Sequence, residues 1–368
     1  MIYFDNAATS FPKPRCVIDE VVKCISCYCG NPGRGSHALA IKAAEKIFET
    51  REDISEFLRY EKSENIVFTH NATHALNLVI KGLIDRKLHC IVSDLEHNSV
   101  LRPLYKTLKK YGGSYSVFDS DQDPNEAIPP LVRKDTALLI CTLCSNVTGK
   151  SVDFDTISKI ASQYNLKLIV DASQYLGHKD LCICDKHFSA LCCAGHKGLF
   201  GIQGSAFTVI NERDLFETLI EGGSGIDSFS EAMPYLLPER YEAGTISTPA
   251  IASLGAGIKY ISDVGIDRIE HKLFELTSVL KDDLKAVNGI RIYGGENGIL
   301  SFNIKNYPSS YVSDLLNRKE IATRAGFHCS PMIHKKLGTD DIGAVRVSLS
   351  YFNTEKEIYT LKKELLTI

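Results

Sequence analysis

Lys197 has unusual sequence surroundings for a lysine. It lies in Ala-Gly-His-Lys-Gly, directly after the apolar run at residues 189–194, whereas lysine side chains are mostly exposed. Asp171 ends a second apolar run, residues 166–171 (LKLIVD), which predicts a buried strand with a carboxylate at its mouth. An inward-facing lysine amine can bond covalently to a carbonyl compound, and a neighbouring carboxylate can hold a protonated ring nitrogen. The structural alternatives are a surface lysine and, for Asp171, a helix cap or a metal ligand.

Pyridoxal phosphate is a cofactor that requires such a pair. It also requires an aromatic or imidazole face against its ring and donors for its phosphate. Gln174 could donate a hydrogen bond to the phenolic oxygen of the ring, and His97 could stack on the ring and shuttle protons. Ala72 and Thr73 precede a predicted helix, whose N-terminal N–H groups would bind the phosphate. Taken singly, His97 is as typical of a structural histidine, and Thr73 of a helix cap.

Alternating helices and strands must position these residues. The hydrophobic pattern predicts strands at 66–69, 90–93, 137–143, 166–171 and 205–210, and helices at 15–29, 38–58, 75–82, 99–111 and 153–164. Such alternation indicates an α/β fold with a mainly parallel sheet covered by helices on both faces. Ligands bind beyond the carboxyl ends of such strands. Polar clusters that begin at Asn71, Glu96, Ser145, Asp171 and Gly195 fall there, which predicts one shared site.

The pattern changes after about residue 250. A long helix is predicted at 250–287, followed by strands near 290–293, 299–304, 322 and 344–350 and helices at 309–317 and from 354 onward. This is typical of a smaller α+β domain packed on the first. We therefore predict an N-terminal segment (1–13) that packs on the small domain, a large cofactor-binding domain (14–250), and a small C-terminal domain (251–368) that carries Cys329.

The bulk composition limits the partners and the compartment. A net charge of −3 gives no global attraction to nucleic acid or to an anionic membrane. The start of the chain lacks the basic and apolar regions of a signal peptide, and no apolar stretch reaches the ~20 residues of a spanning helix. We therefore predict a cytoplasmic protein with no nucleic-acid or membrane partner. Twelve cysteines then predict free thiols. A metal site at Cys24, Cys27 and Cys29 is the alternative, but no second pair completes it, so we predict no metal.

The order of the motifs resembles the class V aminotransferase family of fold-type I pyridoxal-phosphate enzymes, and within it the cysteine desulfurases. The resemblance runs nearly end to end. Each motif is weak alone, but the full set in this order is very specific. The motifs are YFDNAAT (3–9), NP (31–32), RGSH (34–37), NAT (71–73), EHN (96–98), SNVTG (145–149), DASQ (171–174), GHK (195–197), EAGT (242–245), RAGFHC (324–329) and RVSLSYFNT (346–354).

The resemblance implies a role for each candidate residue at the cofactor. The fold implied is a large domain with a mainly parallel sheet plus a smaller C-terminal α+β domain. The assembly implied is a homodimer, in which one phosphate contact comes from the other subunit. The cofactor residues implied are Lys197 as the Schiff-base lysine, Asp171 at the pyridine nitrogen, Gln174 at the ring oxygen, His97 stacked on the ring, Ala72, Thr73 and His196 at the phosphate, and Thr245 at the phosphate of the partner subunit.

The resemblance also implies the reaction. Asn146 and Arg346 would hold the carboxylate of L-cysteine, and Cys329 would take its sulfur as a persulfide, leaving L-alanine, before passing it to a protein acceptor. Only a thiolate is nucleophilic, and His328 and Arg324 nearby could favour it. The structural alternative for Cys329 is a buried thiol. The functional alternatives are a selenocysteine lyase, another class V C–S lyase or transaminase, and a non-catalytic sulfur carrier.

Two details refine the subtype. The segment between Cys329 and Arg346 is short, which resembles the group II desulfurases, including selenocysteine lyase-like enzymes, rather than group I with its longer loop. Ala194 stands where a hydroxyl residue often precedes the histidine and lysine, so one phosphate contact is expected to be missing. The residues after Cys329, at positions 330–334, also depart from the usual pattern, which leaves the acceptor and the selenium preference open.

Overall fold

The computed structural model describes residues 1–33 and 35–368. Arg34, in the RGSH motif, lies outside the described residues. The strands are β1 (Ile2–Tyr3), β2 (Ile66–Thr69), β3 (His89–Ser93), β4 (Ser114–Phe118), β5 (Thr136–Thr142), β6 (Lys167–Asp171), β7 (Ala190–Ala194), β8 (Ala206–Ile210), β9 (Ile290–Glu296), β10 (Ile299–Ile304), β11 (Ile321–Ala322), β12 (Arg324–Gly326) and β13 (Ala344–Ser348).

The helices connect these strands and cover them. They are α1 (Arg15–Lys23), α2 (Ala38–Phe57), α3 (Ala72–Leu83), α4 (Asn98–Tyr111), α5 (Pro124–Ala127), α6 (Phe154–Gln163), α7 (Thr248–Val264), α8 (Ile266–Lys285), α9 (Ser309–Arg318), α10 (Pro331–Leu337) and α11 (Glu355–Leu365). No helix of the described residues is long and apolar enough to cross a membrane.

The large sheet has seven strands in the order β2-β8-β7-β6-β5-β3-β4. β8 runs antiparallel to both neighbours, and the other pairs are parallel. The prediction of a mainly parallel α/β sheet is therefore confirmed. Helices cover both faces, as Cys192 and Cys193 illustrate. Cys192 packs in the core cluster that includes α3 and α4, and Cys193 packs in the one that includes α2, α6 and α7.

The small sheet has the order β12-β13-β10-β9 and is antiparallel. α8 and α9 pack on it, and α11 packs against these two helices. The N-terminal strand β1 pairs in parallel with β11, where Ile2 lies opposite Ile321. The first residues of the chain therefore pack on its C-terminal part. The domain boundaries at 13/14 and 250/251 stay a prediction.

The single long helix predicted at 250–287 is wrong. The chain forms α7 and α8 there, separated by Gly265, whose φ is +89°. α7 packs against α1 and α2, whereas α8 packs against the small sheet. The apolar pattern continues through the break, so periodicity alone does not reveal it. The end of the predicted helix at 15–29 also differs, because residues Cys24–Tyr28 form a π-helical turn after α1.

Candidate active site

Glu96 ties together the carboxyl ends of β3 and β5. Its Oε1 accepts hydrogen bonds from the Ser93 hydroxyl (2.5 Å) and the Thr142 N–H (2.8 Å), and its Oε2 accepts one from the Thr142 hydroxyl (2.7 Å). The side chain is fully buried, and this burial raises its pKa to about 7. These bonds hold the turn after β3, which places the next residue, His97, at the carboxyl edge of the sheet.

His97 caps the N-terminus of α4. Its Nδ1 accepts the Ser99 N–H at 3.1 Å, so the neutral ring carries its proton on Nε2. Burial first, and then the positive charge of Lys197, lower the pKa of His97 to about 4. The hydroxyls of Ser99 and Thr73 are 2.7 Å apart, which connects this turn to the start of α3. His97 therefore places a neutral imidazole next to the N-terminus of α3.

Asp171, at the end of β6, is buried, and its Oδ1 accepts the Ser173 N–H at 2.9 Å. Gln174 donates from Nε2 to the Ala7 carbonyl at 2.8 Å, which brings the N-terminal segment against the site. Within the described residues, the buried Gln174 Oε1 and Ser173 hydroxyl have no hydrogen-bond partner. Buried polar atoms are rarely left unpaired. These two atoms therefore indicate space for a polar ligand beside the Asp171 carboxylate.

Lys197 lies directly after β7 and is partly buried. Burial lowers the pKa of its amine, the negative charge of Asp171 opposes this, and the positive charge of Arg346 adds to it. Across the described residues, no side chain or carbonyl accepts a hydrogen bond from its amine, and no carboxylate forms a salt bridge with it. Lys197, Asp171, His97 and Arg346 thus lie within electrostatic reach of one another.

His196 is held by the N-terminal segment. Its Nδ1 lies 3.1 Å from the Thr9 hydroxyl, and its carbonyl accepts from Lys13 Nζ at 2.9 Å. Burial, and then the positive charge of Lys197, lower the pKa of His196 to about 4. Burial alone lowers the pKa of Lys13 to about 8. Lys13 was not among the residues predicted for the site, and only its place in the segment after YFDNAAT could have pointed to it.

Cys329 lies in a turn (residues 328–330) that three hydrogen bonds hold onto the large sheet. Asn98 donates its N–H to the Cys329 carbonyl at 2.7 Å. Asn146 donates from Nδ2 to the His328 carbonyl at 2.7 Å and accepts the Ser330 hydroxyl at 2.6 Å. His328 and Cys329 both have left-handed backbones, with φ of 49° and 57°. The Cys329 thiol is exposed, so the alternative of a buried thiol is wrong.

The expected contribution of His328 to the thiolate is also wrong. Its ring is buried, and this burial, together with the positive charge of Arg346, lowers its pKa to about 3. A neutral imidazole supplies no positive charge to stabilise a thiolate. The sequence showed His328 beside Cys329 but did not show that packing would bury the ring.

Arg346 is almost fully buried, and part of its guanidinium is already bonded. One terminal nitrogen forms a 2.7 Å salt bridge with Asp5, and the other donates to the Asn146 carbonyl at 3.0 Å. Its Nε is buried with no partner among the residues that the structure describes. Two of the five guanidinium N–H groups are therefore used, and Nε together with the second N–H of each terminal nitrogen remains to meet an anionic group.

Thr245 lies in the loop before α7. It is exposed, and its hydroxyl accepts from Asn31 Nδ2 at 3.4 Å. Glu242 holds this loop, because it pairs with Arg51 at 2.5 Å and accepts the Phe68 N–H at 2.6 Å. The predicted contact of Thr245 with the phosphate of a partner subunit stays a prediction.

The α10 helix, which follows Cys329, is fastened to the large sheet by Lys336. Its amine lies 2.7 Å from both Asp94 and Asp121 and also pairs with Asp119. Asp94 follows β3, and the other two acids follow β4. The pKa of Lys336 is raised, since the hydrogen bonds to the three acids outweigh the effect of burial. This cluster of Lys336 with three aspartates was not predicted from the sequence, because its members are distant in the chain.

We expect Lys336→Met to loosen the turn that carries Cys329. Three carboxylates would lose their shared cation, so the free energy of unfolding should fall by about 1 kcal/mol, a typical value for partly exposed pairs that form a network. Turnover should fall by about tenfold, because the thiol is held less accurately. Urea unfolding and steady-state kinetics measure the two effects.

Lys335→Met is the matched control for Lys336→Met. Lys335 lies on the same helix, and its side chain forms no ion pair with a described residue. Equal behaviour of the two variants would show that Lys336 does not position the Cys329 turn.

Pyridoxal phosphate fits this arrangement. The site combines a partly buried amine of lowered pKa, a buried carboxylate, a neutral imidazole and unpaired buried polar atoms. Among the described residues, nothing accepts a hydrogen bond from the Ala72 and Thr73 N–H groups at the start of α3, so these groups could bind a phosphate. Lys197 would hold the cofactor, Asp171 would pair with its ring nitrogen, and His97 would lie at its ring.

The fold and this lysine–aspartate site define the class of pyridoxal-phosphate enzymes of fold-type I. The class V aminotransferase family model matches residues 2–361. A probable cysteine desulfurase of Methanothermobacter thermautotrophicus is 32% identical over 99% of this chain and 94% of its own length. One of Pyrococcus abyssi is 33% identical over 98% and 92%. The apo structure of a cysteine desulfurase from Thermococcus onnurineus superposes with a TM-score of 0.90 at 29% identity, covering 100% of this chain and 94% of that one. The chain belongs to the class V aminotransferase family.

Proposed function

We propose that the chain is a pyridoxal-phosphate-dependent cysteine desulfurase, which converts L-cysteine to L-alanine and keeps the sulfur as a persulfide on Cys329. One observation carries the proposal beyond the family. The exposed Cys329 thiol belongs to a turn whose carbonyl is bonded to Asn98, the residue after His97. A transaminase needs no thiol at that place. The relatives named as cysteine desulfurases agree with this assignment.

The charges of the site suit the binding of a zwitterionic amino acid. The carboxylate of cysteine would meet the free Nε of Arg346 and the second N–H of Asn146 Nδ2, whose first N–H is bonded to His328. The salt bridge between Asp5 and Arg346 orients the guanidinium, and the negative charge of Asp5 partly offsets its positive charge. Asp5 is thus a positioning residue that the YFDNAAT motif contains.

Protons and sulfur would then move through this chain's own groups. When bound, pyridoxal phosphate supplies an electron sink that weakens the bond between Cβ and sulfur of the substrate. Lys197, whose pKa is lowered, can exist as a neutral amine and carry a proton to and from the substrate carbons. Cys329 attacks the sulfur as a thiolate. The Cβ–S bond breaks, its electron pair stays with carbon, and a proton completes the methyl group of alanine.

Product analysis of the purified, cofactor-loaded protein tests this function. L-cysteine with a thiol reductant should yield alanine and sulfide in equal amounts, because each turnover releases one of each. Selenocysteine, and separately an amino acid with a 2-oxo acid, would be assayed in parallel. Transamination at a higher rate than alanine formation from cysteine would reject a desulfurase, and activity confined to selenocysteine would assign a selenocysteine lyase.

Asp171→Asn tests the proposed role of the buried carboxylate. The amide keeps the shape but loses the charge that would hold the ring nitrogen protonated, so turnover should fall by at least about 100-fold. Cofactor content should stay near that of the wild type, because Lys197 is untouched. Alanine release and the visible absorption of the bound cofactor report the two quantities. Full activity of the variant would make Asp171 a structural residue.

We also propose a homodimer in which each site is completed by the other subunit. Several large apolar side chains are exposed, which is typical of residues that an interface covers. They include Ile25 (63% exposed) next to α1, Phe48 (60%) on α2 and Phe229 (103%) in the loop before Thr245. Phe48 and Thr245 line the same cavity of about 380 Å³. A partner covering this surface would bring Thr245 near a second site.

Thr245→Ala tests the shared site. If the hydroxyl binds the phosphate of the partner subunit, the Kd for pyridoxal phosphate should rise by at least about tenfold, the typical effect of losing one hydrogen bond to a charged group. Equilibrium dialysis measures the Kd, and sedimentation measures the oligomeric state of both proteins. Thr360→Ala, at the surface of α11, serves as the control. A fully active monomer would contradict the proposal.

The compartment and the acceptor belong to the same proposal. The described residues include all twelve cysteines, and none of them forms a disulfide. Free thiols in this number fit a reducing cytoplasm. The exposed Cys329 turn leaves the persulfide open to the thiol of a protein acceptor, which is how the sulfur would leave.

A further inference from the structure

Cys182 and Cys184 form a close pair of thiols at the surface. Their sulfur atoms are 2.7 Å apart, closer than the sulfurs of any other cysteine pair for which the described residues show a contact. Cys182 is partly buried and Cys184 is exposed. Neither residue belongs to the site of Lys197 and Cys329, so the proposed function leaves them without a role.

The two sulfurs have different electrostatic surroundings. The hydrogen bond between the two thiols lowers the pKa of Cys182, and the Arg59 guanidinium lowers it further. The same bond raises the pKa of Cys184, and Asp185 adds to this while Lys186 opposes it. Because the Arg59 guanidinium lies beside Cys182, we assign Cys182 as the attacking thiol of the pair.

Neighbouring contacts hold the pair in place. Arg59 forms a 2.6 Å salt bridge with Asp180, just before Cys182 in the chain. The Ile183 N–H, between the two cysteines, donates to the Leu58 carbonyl at 3.1 Å. Leu58 follows α2 and leads toward the amino end of β2. The pair therefore lies at the amino ends of the strands, on the side of the large sheet away from the carboxyl ends and Lys197.

We propose that Cys182 and Cys184 are a redox-active dithiol that reacts reversibly with low-molecular-weight disulfides such as oxidised glutathione. The Cys182 thiolate attacks one sulfur of the disulfide, the disulfide bond breaks, and one glutathione thiolate leaves. Cys184 then loses its proton and attacks the sulfur of Cys182, which forms the Cys182–Cys184 disulfide and releases the second glutathione. The dithiol is oxidised, glutathione disulfide is reduced to two thiols, and excess reduced glutathione reverses both steps.

The chain allows a site-resolved test. Trypsin cleaves after Lys179 and Lys186, so residues 180–186 (DLCICDK) form one peptide that contains both cysteines and no other. The cofactor-loaded enzyme, without substrate, is incubated with increasing oxidised glutathione, its free thiols are alkylated, and the peptide is weighed. The wild-type peptide should lose two hydrogens and escape alkylation, and it should regain both thiols in excess reduced glutathione.

Single variants separate the two sulfurs. Cys184→Ser should keep a glutathione adduct on Cys182, whereas Cys182→Ser should form its adduct on Cys184 at least about tenfold more slowly. Arg59→Gln should slow the first step about threefold, and Arg86→Gln, which breaks the comparable surface pair with Asp85, should not. Alanine formation by the reduced variants should equal that of the wild type.

Two results would overturn the proposal. One is a wild-type peptide that keeps two alkylated thiols or two glutathione adducts. The other is equal adduct rates at Cys182 and Cys184 in the single variants. The readout is a peptide mass, so it is independent of whether the protein is a desulfurase.

Discussion

Replacing Lys197 with alanine should lower the turnover of L-cysteine by at least about 1,000-fold. The visible absorption band of the lysine-bound cofactor should also disappear. Lys197 is the candidate both for holding the cofactor and for carrying protons to the substrate carbons. Its lowered pKa, caused by burial, makes the neutral amine accessible. Because Asp171, His97 and the start of α3 are untouched, the variant should still bind the cofactor, without the covalent bond.

The measurements for Lys197→Ala are absorption spectra, alanine release and thermal unfolding. Unfolding should change little, since no described residue forms a hydrogen bond or salt bridge with the Lys197 amine. Lys167→Ala is the matched control: it lies at the amino end of β6, pairs with Asp214 at the surface, and should keep both colour and activity. A Lys197→Ala protein with the wild-type rate would remove Lys197 from the chemistry.

Replacing Cys329 with alanine should have the second large effect. Alanine formation from L-cysteine should fall by at least about 100-fold, because no thiolate is present to take the sulfur. The visible band should stay, and cysteine should still perturb it, since Lys197, Arg346 and Asn146 remain. The Asn98 hydrogen bond to residue 329 is made by the backbone, so the turn should persist.

Two further measurements decide what Cys329 does. Mass spectrometry of the wild type after exposure to cysteine should find one added sulfur atom, about 32 Da, on the peptide with Cys329. The activity of the variant with selenocysteine should fall less, because the C–Se bond is weaker and selenium depends less on attack by a thiolate. Cys16→Ala, another exposed thiol, is the control. Unchanged cysteine turnover together with no adduct would assign the site to another class V lyase or transaminase.

The local sequence pattern determined the main sheet and the composition of its site. Buried strands in parallel sheets read as short apolar runs, and their carboxyl ends share one edge, so Asp171, Lys197 and His97 could be placed together from strand ends alone. The motif order then indicated the family. β4 and β7 were not among the predicted strands. β4 is an edge strand whose Ser114 and Tyr115 are exposed and whose apolar pattern is therefore weak, and β7 was recognised only as an apolar run.

Only the tertiary structure decided which groups beyond the strand ends meet and which are charged. Lys336 reaches Asp94 across 242 positions of the chain, and Asn146 reaches Ser330 across 184. The hydrophobic periodicity of the sequence does not reveal such pairs, because they depend on how the C-terminal part of the chain packs on the large sheet. Burial likewise makes His328 neutral and lowers the pKa of Lys197, since desolvation opposes charge. The sequence specifies the type of each side chain, but the protonation state of that side chain depends on how far the fold excludes solvent from it.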